Sequence, residues 1–217
     1  MKKWLSLRDG LDALRGRRME RAKRNLAANR EAFKGLEGKL LNGQGTDKLK
    51  KLTYSKHSLE LCGCEIIAVD NTLLLTGRDI PLPDVICEFE MNKMQILFSS
   101  GCFGSKPRKI KNFYDHYNIG CKTFYDVASL ESELSKREKA CGILSFWIKE
   151  RKGRGLKNLL FFTKGFHTVA FVQKHGKVYV YNRYNSSESA TQYYSVSDVI
   201  GTRPFIMSYL LDDEPKG

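Results

Sequence analysis

Leu61-Cys62-Gly63-Cys64-Glu65-Ile66-Ile67-Ala68-Val69, continued by Leu73-Leu74-Leu75 and halted at Gly77, is the stretch on which the fold turns. An apolar run of this length with Gly just past its last periodic residue predicts a buried helix over 64–75. A cysteine at the head of such a helix faces unpaired backbone N–H groups and the positive end of the dipole. Both favour the thiolate, which is the nucleophilic form. A thiol nucleophile needs a base, and the base needs a group that orients it.

Downstream, Gly142 to Ile148, Leu159 to Phe162, His167 to Gln173 and Val178 to Tyr181 have the aromatic and β-branched character of strands. Lys174-His175-Gly176-Lys177 reads as a hairpin turn, and Pro204 to Leu211 as a closing strand. His167 lies on one arm of that hairpin and Asn182 fifteen residues later on the other. Adjacent antiparallel strands bring such positions side by side. An Asn carbonyl accepting from one ring nitrogen leaves the other facing the thiol.

Gly63-Cys64-Glu65-Ile66-Ile67-Ala68, with Gly77 thirteen residues past the cysteine, resembles the nucleophile helix of the papain-like peptidases related to bacteriocin-leader peptidases. Phe166-His167-Thr168-Val169-Ala170 and Lys177-Val178-Tyr179-Val180-Tyr181-Asn182 resemble the family's His strand and the strand of its third residue. The resemblance spans roughly residues 54–211. It implies a papain-like α+β fold, Cys64 as nucleophile, His167 as base and Asn182 as orienter. The implied activity is cleavage of a peptide by a Cys-His-Asn triad. Alternatives are acyl transfer on the same scaffold, or a catalytically silent member that binds a peptide or partner. Cys62 is the alternative nucleophile; the distance to Gly77 selects Cys64. The family's oxyanion-hole Gln has no counterpart between Leu52 and Cys64. Ser58, His57, Lys56 and Tyr54 are left as candidate donors beside the Cys64 backbone N–H.

Helices before the strands and an antiparallel sheet after them give the same fold class, α+β. Helices are expected over Val85 to Phe98, Lys106 to Tyr117 and Ser129 to Lys139, the last capped by Ser129 or Ser132. Upstream, Trp4 to about Leu41 reads as a basic amphipathic helix interrupted near Gly35, followed by a polar linker at 42–47. Residues 1–51 hold +9 of the +13 net charge. The expected division is therefore a basic helical extension and linker at 1–50 and a papain-like domain at 51–217.

The chain has 217 residues, enough to bury a core without staples. No apolar run approaches the ~20 residues of a membrane span. The apolar start ends at Arg8-Asp9, short of the ~7–15 residues of a signal core. A cytoplasmic chain with reduced thiols is expected, since the six cysteines show no framework spacing. Cys62-x-Cys64 lacks the ligand gap of a zinc site, and Gly101 to Ser105 lacks the ending of a phosphate loop, so no metal or cofactor is expected. His116 and His175 read as surface residues, and Lys149 to Lys157 as an exposed loop. The expected partner is a peptide or protein substrate. The apolar stripe Trp4, Leu7, Leu11 and Leu14 points to protein contact or self-association through residues 1–41, in preference to nucleic acid or an anionic membrane.

Overall fold

The computed structural model describes residues 7–94, 96, 104–148, 165–184 and 186–215, with the backbone alone for 7–15. Trp4, residues 101–103 of the glycine loop, the basic loop 149–157 and the strand at 159–162 lie outside the described residues.

A long helix, α1 (Leu7–Phe33), leads into a short one, α2 (Asp47–Lys50), and a two-stranded ribbon, β1 (Thr53–Tyr54) and β2 (His57–Ser58). Helices α3 (Leu59–Cys62) and α4 (Cys64–Leu75) follow with Gly63 between them. Next come α5 (Leu82–Met91), a 3₁₀ turn at Pro107–Lys109 running into α6 (Ile110–His116), β3 (Cys121–Phe124) and α7 (Val127–Leu134). The remainder is β4 (Ala140–Trp147), β5 (Phe166–Lys174), β6 (Lys177–Tyr181), β7 (Thr191–Tyr193), α8 (Val196–Ile200) and β8 (Phe205–Leu211). The main sheet has the order β3-β8-β4-β5-β6-β7 and is antiparallel throughout. The fold is α+β, as the order of patterns implied.

Helix α4 is the centre. Its composition is apolar nearly all round, so burying one side does not suffice. Every residue of it except Leu74 is buried. The sheet face carrying Cys141, Ile143, Ala170, Val172, Met207 and Tyr209 covers one side. Phe33, Leu36, Leu41, Leu49, Ile86 and Phe89 belong to the same core. The opposite sheet face, with Leu144, Phe146, Val169, Phe171 and Val180, packs on Leu130 and Leu134 of α7 and Val196, Val199 and Ile200 of α8. The alternation along β4 and β5 is the period of two that a sheet covered on both faces needs. Gly77 ends α4 as expected: at φ +70° it turns the chain so that the Arg78 N–H reaches the Leu73 carbonyl at 2.8 Å. The hairpin after β5 is also as read, with His175 at φ +52° and Gly176 at φ +67°, the signs of a type I′ turn.

Several expectations need correction. Helix α1 ends at Phe33, just before Gly35 at φ +83°. Helix α5 ends at Met91, well short of Phe98. The cap of α7 is Asp126, which accepts from the Ser129 N–H at 2.7 Å, so Ser129 is the third residue inside the helix. The short strands β3 and β7 carry too little apolar pattern to be read from sequence.

The core is continuous across residue 50. Phe33, Leu36, Leu41 and Leu49 share one cluster with Tyr54, Ile66 and Ile67. Asn29 pairs with the Thr53 main chain in both directions, each bond 2.8 Å. Asn25 donates to the Ser55 carbonyl at 3.0 Å and to Glu90 at 2.7 Å. Arg21 lies 3.6 Å from the fully buried Glu90 carboxylate, and Arg30 lies 2.7 Å from Asp84. The excess charge of the segment suggested a detached piece. Its inner face instead supplies the cations and amides that neutralise and bond acids of α5, as a buried carboxylate requires. Arg17, Lys23 and Arg24 point to solvent.

Two outcomes follow. Deleting residues 1–50 abolishes cooperative thermal unfolding followed by circular dichroism, and Leu49→Ala alone costs about 2–5 kcal/mol. A truncated chain that melts like the full one would refute the shared core. Asp70, inside α4 with Oδ2 unpartnered, is raised by burial to about 8. The folded state therefore keeps a proton that the unfolded chain releases near pH 4, and stability falls as pH rises from about 4 to about 8. Asp70→Asn removes this residue's share of that slope, which chemical denaturation of the two proteins at several pH values measures.

Candidate active site

The joint between α3 and α4 places Cys64. A Cβ on Gly63 would run into the Leu59 side chain, so glycine is what lets the two helices follow each other with one residue between. The Cys64 thiol then sits at the first position of α4, 8 % exposed, against the main chain of Thr168 in β5. Burial, and next the charge of Glu65, push this thiol well above its ordinary value; hydrogen bonding from the Thr168 main chain opposes them. The helix terminus does not outweigh desolvation here. Cys62, the alternative nucleophile, turns into the core and donates back to the Ser58 carbonyl at 3.3 Å. It packs as a small apolar residue.

His167 is the residue before Thr168. Its Nε2 meets an oxygen of Asn182 at 2.7 Å, and that oxygen is the main-chain carbonyl. A carbonyl only accepts, so Nε2 carries the proton and Nδ1 is the unprotonated nitrogen. His167 and Asn182 are thus brought together as expected, but through a different atom. Strand alternation also sets His167 on the face of Val169, its ring edge-on to Phe146 at 6.2 Å, while Ala170 and Val172 face α4. The two side chains do not share the α4 face of the sheet. The expectation that the ring faces the thiol is therefore not met by the face on which His167 lies. Pairing with β6 stops at Ala170 opposite Tyr181, and Asn182 turns away there with φ +59°. Burial lowers the His167 ring to about 4; the Asn182 bond opposes this and the charge of Arg183 adds to it.

The Asn182 amide is engaged elsewhere. Its Oδ1 accepts from the Gln44 N–H at 2.9 Å and its Nδ2 donates to Gln44 Oε1 at 3.1 Å. Gln44 Nε2 donates to the carbonyls of Leu59 and Glu60 at 3.0 and 2.7 Å. Asn42 Oδ1 accepts from the Asn182 N–H at 2.8 Å. The segment read as a polar linker is a set of buried bonds. Both hydrogens of the Gln44 amide are taken, so it is not a free oxyanion donor. Ser58 occupies the N-cap of α3 without a side-chain capping bond, and His57 has a buried Nε2 with no hydrogen-bond partner.

Glu65 was quoted from the sequence only as a neighbour of the cysteine. It is fully buried, accepting from the Ser105 N–H at 3.2 Å and from Thr168 Oγ1 at 3.4 Å. Burial raises it to about 7, against hydrogen bonds from its own N–H, Ser105, Cys64 and Thr168. Its signal was an acid within a run otherwise destined for the core. His116 lies 3.9 Å from Glu88, and His175 lies in the hairpin turn, both away from this group. Among the described residues no group of three or more His, Cys, Asp or Glu is placed to hold a metal ion, and no helix is long and apolar enough to cross a membrane.

The tautomer is measurable. Long-range ¹H–¹⁵N spectra should show His167 protonated at Nε2 alone, with no imidazolium down to about pH 5. A ring titrating near the ordinary 6.5 would refute the buried setting. No family model matches the chain, and no curated protein matches it.

Proposed function

We propose that this chain is a papain-like thiol acyl hydrolase acting on a peptide or protein, with Cys64 as nucleophile and His167 as base. The reading rests on one observation: the Asn182 carbonyl fixes the proton on His167 Nε2, one residue from the Thr168 main chain against which the Cys64 thiol lies. In the reaction, Nδ1 of His167, reaching toward α4 around the edge that β5 leaves unpaired with β6 beyond Ala170, takes the thiol proton as Sγ attacks the substrate carbonyl carbon. Backbone N–H groups at the head of α4 meet the developing oxyanion. The imidazolium returns the proton to the leaving amine, and water then cleaves the thioester with His167 again as base. The raised thiol and lowered imidazole make the resting pair neutral, so proton transfer accompanies attack. Trp147 and Phe166 stack edge to face at 6.0 Å on the strand ends beside His167, an apolar surface suited to an apolar acyl group.

The second reading is a silent binding protein on the same scaffold. It is favoured by the commitment of Gln44's amide to Leu59 and Glu60, since that amide is then not available to an oxyanion. p-Nitrophenyl acetate separates the two. A hydrolase gives a burst of nitrophenolate and an acetyl group on Cys64 by peptide mass spectrometry, and Cys64→Ser abolishes both. His167→Ala slows the burst by about 100-fold or more. Acetyl on Cys62 with Cys64 unmodified, or no burst at all, would reject the hydrolase.

A further inference from the structure

The left-handed conformation of Asn182 sets where its carbonyl points, and therefore where the His167 ring is held. Such a conformation disfavours residues other than Gly, although Asn tolerates it better than most. Something has to hold it. Asn182 is 1 % exposed, and its N–H, Oδ1 and Nδ2 are all bonded to Asn42 and Gln44. Gln44 also donates twice to the first carbonyls of α3, the helix that runs through Gly63 into Cys64. One side chain thus spans the support of the base and the support of the nucleophile.

We propose that Gln44 is a positioning residue, seconded by Asn42, which sets the orientation and tautomer of the His167 imidazole through the Asn182 carbonyl. This rests on the hydrolase reading above. The side-chain oxygen of Asn182, which the family resemblance assigns to the imidazole, is held by Gln44, so the orienting task passes to the main chain. A carbonyl can do this only while the residue's φ is fixed, and Gln44 and Asn42 fix it. Without them Asn182 relaxes toward ordinary backbone conformations, the carbonyl swings off Nε2, and the tautomer is no longer selected. Water also reaches the ring. The charge acting on the ring is that of Arg183, which Gln44→Met and Asn42→Ala leave in place.

The test uses the full chain and p-nitrophenyl acetate. Gln44→Met keeps the length of the side chain and removes its bonds to Asn182 Nδ2, Leu59 and Glu60, leaving the Gln44 main-chain N–H on Asn182 Oδ1. Asn42→Ala removes the acceptor for the Asn182 N–H, and Asn42→Asp keeps it. Gln44→Met is expected to slow the burst at pH 7 at least tenfold. It also moves the acid limb of the burst rate upward from about pH 4 toward the ordinary imidazole value near 6.5. The His167 Nε2–H signal gives way to an average of tautomers. Asn42→Ala moves the same readouts in the same direction, and Asn42→Asp restores them. If Gln44→Met fails to fold, the Asn42 pair decides. Folded variants that keep the wild-type rate, acid limb and Nε2–H signal, in a protein whose burst still requires His167, would overturn the positioning role alone. A burst indifferent to His167→Ala would overturn the hydrolase reading and this inference with it.

Discussion

A helix that is apolar on every side cannot sit on the surface of a sheet; it has to be enclosed. That requirement on α4 organises the molecule. The sheet covers one side, and the segment from Phe33 to Leu52 together with α5 belongs to the core that closes around the rest. Two polar side chains inside that enclosure, Asn71 and Thr72, are bonded to other segments. Asn71 exchanges bonds with the Leu41 main chain at 2.7 and 2.9 Å, and Thr72 Oγ1 meets the Tyr114 hydroxyl at 2.8 Å. Each such bond ties α4 to a different part of the chain, so enclosure and cross-linking are the same event.

The same enclosure decides the electrostatics of the candidate site. Desolvation is the largest cause of the shift in Cys64, Glu65 and His167 alike. It acts against the charged form of each, which makes the neutral thiol and neutral imidazole the resting state. The helix terminus that would favour a thiolate in water is outweighed because the thiol is buried. Chemistry at such a site depends on where protons are held before the substrate arrives, and so on tautomer and geometry more than on charge.

What was legible in the sequence follows from how local its cause is. The run from Cys64 to Leu75 and the stop at Gly77 are local, and both bounds were read correctly. The His175-Gly176 turn is equally local. Asp126 was missed as a cap because Ser129 is also a capping type, and the choice depends on which residue is extended. Residues 42–44 were read as linker because Asn, Gly and Gln are loop formers by composition. Their partners lie in α3 and after β6, and no local pattern records a bond to a residue so distant. The partners of Asn25, Arg21 and Arg30 in α1 were not legible for the same reason: Glu90 and Asp84 are far away in sequence. The pairing of His167 with Asn182 was legible from hairpin spacing. The atom that makes it was not, because Asn182's conformation is set from outside the hairpin.

The bonds between Gln44 and Asn182 join residues 138 positions apart. Closing so long a segment of chain costs entropy that no neighbouring contact repays. During synthesis the cysteine helix is complete while the closing partner has yet to be made. A chain ended before residue 182 therefore carries Cys64 on a finished helix but lacks the carbonyl that holds the His167 ring. In this protein the bonds that fix Asn182, and through its carbonyl the His167 ring, are therefore a late event in synthesis, completed only after residue 182 has been added to a chain whose α4 is already made.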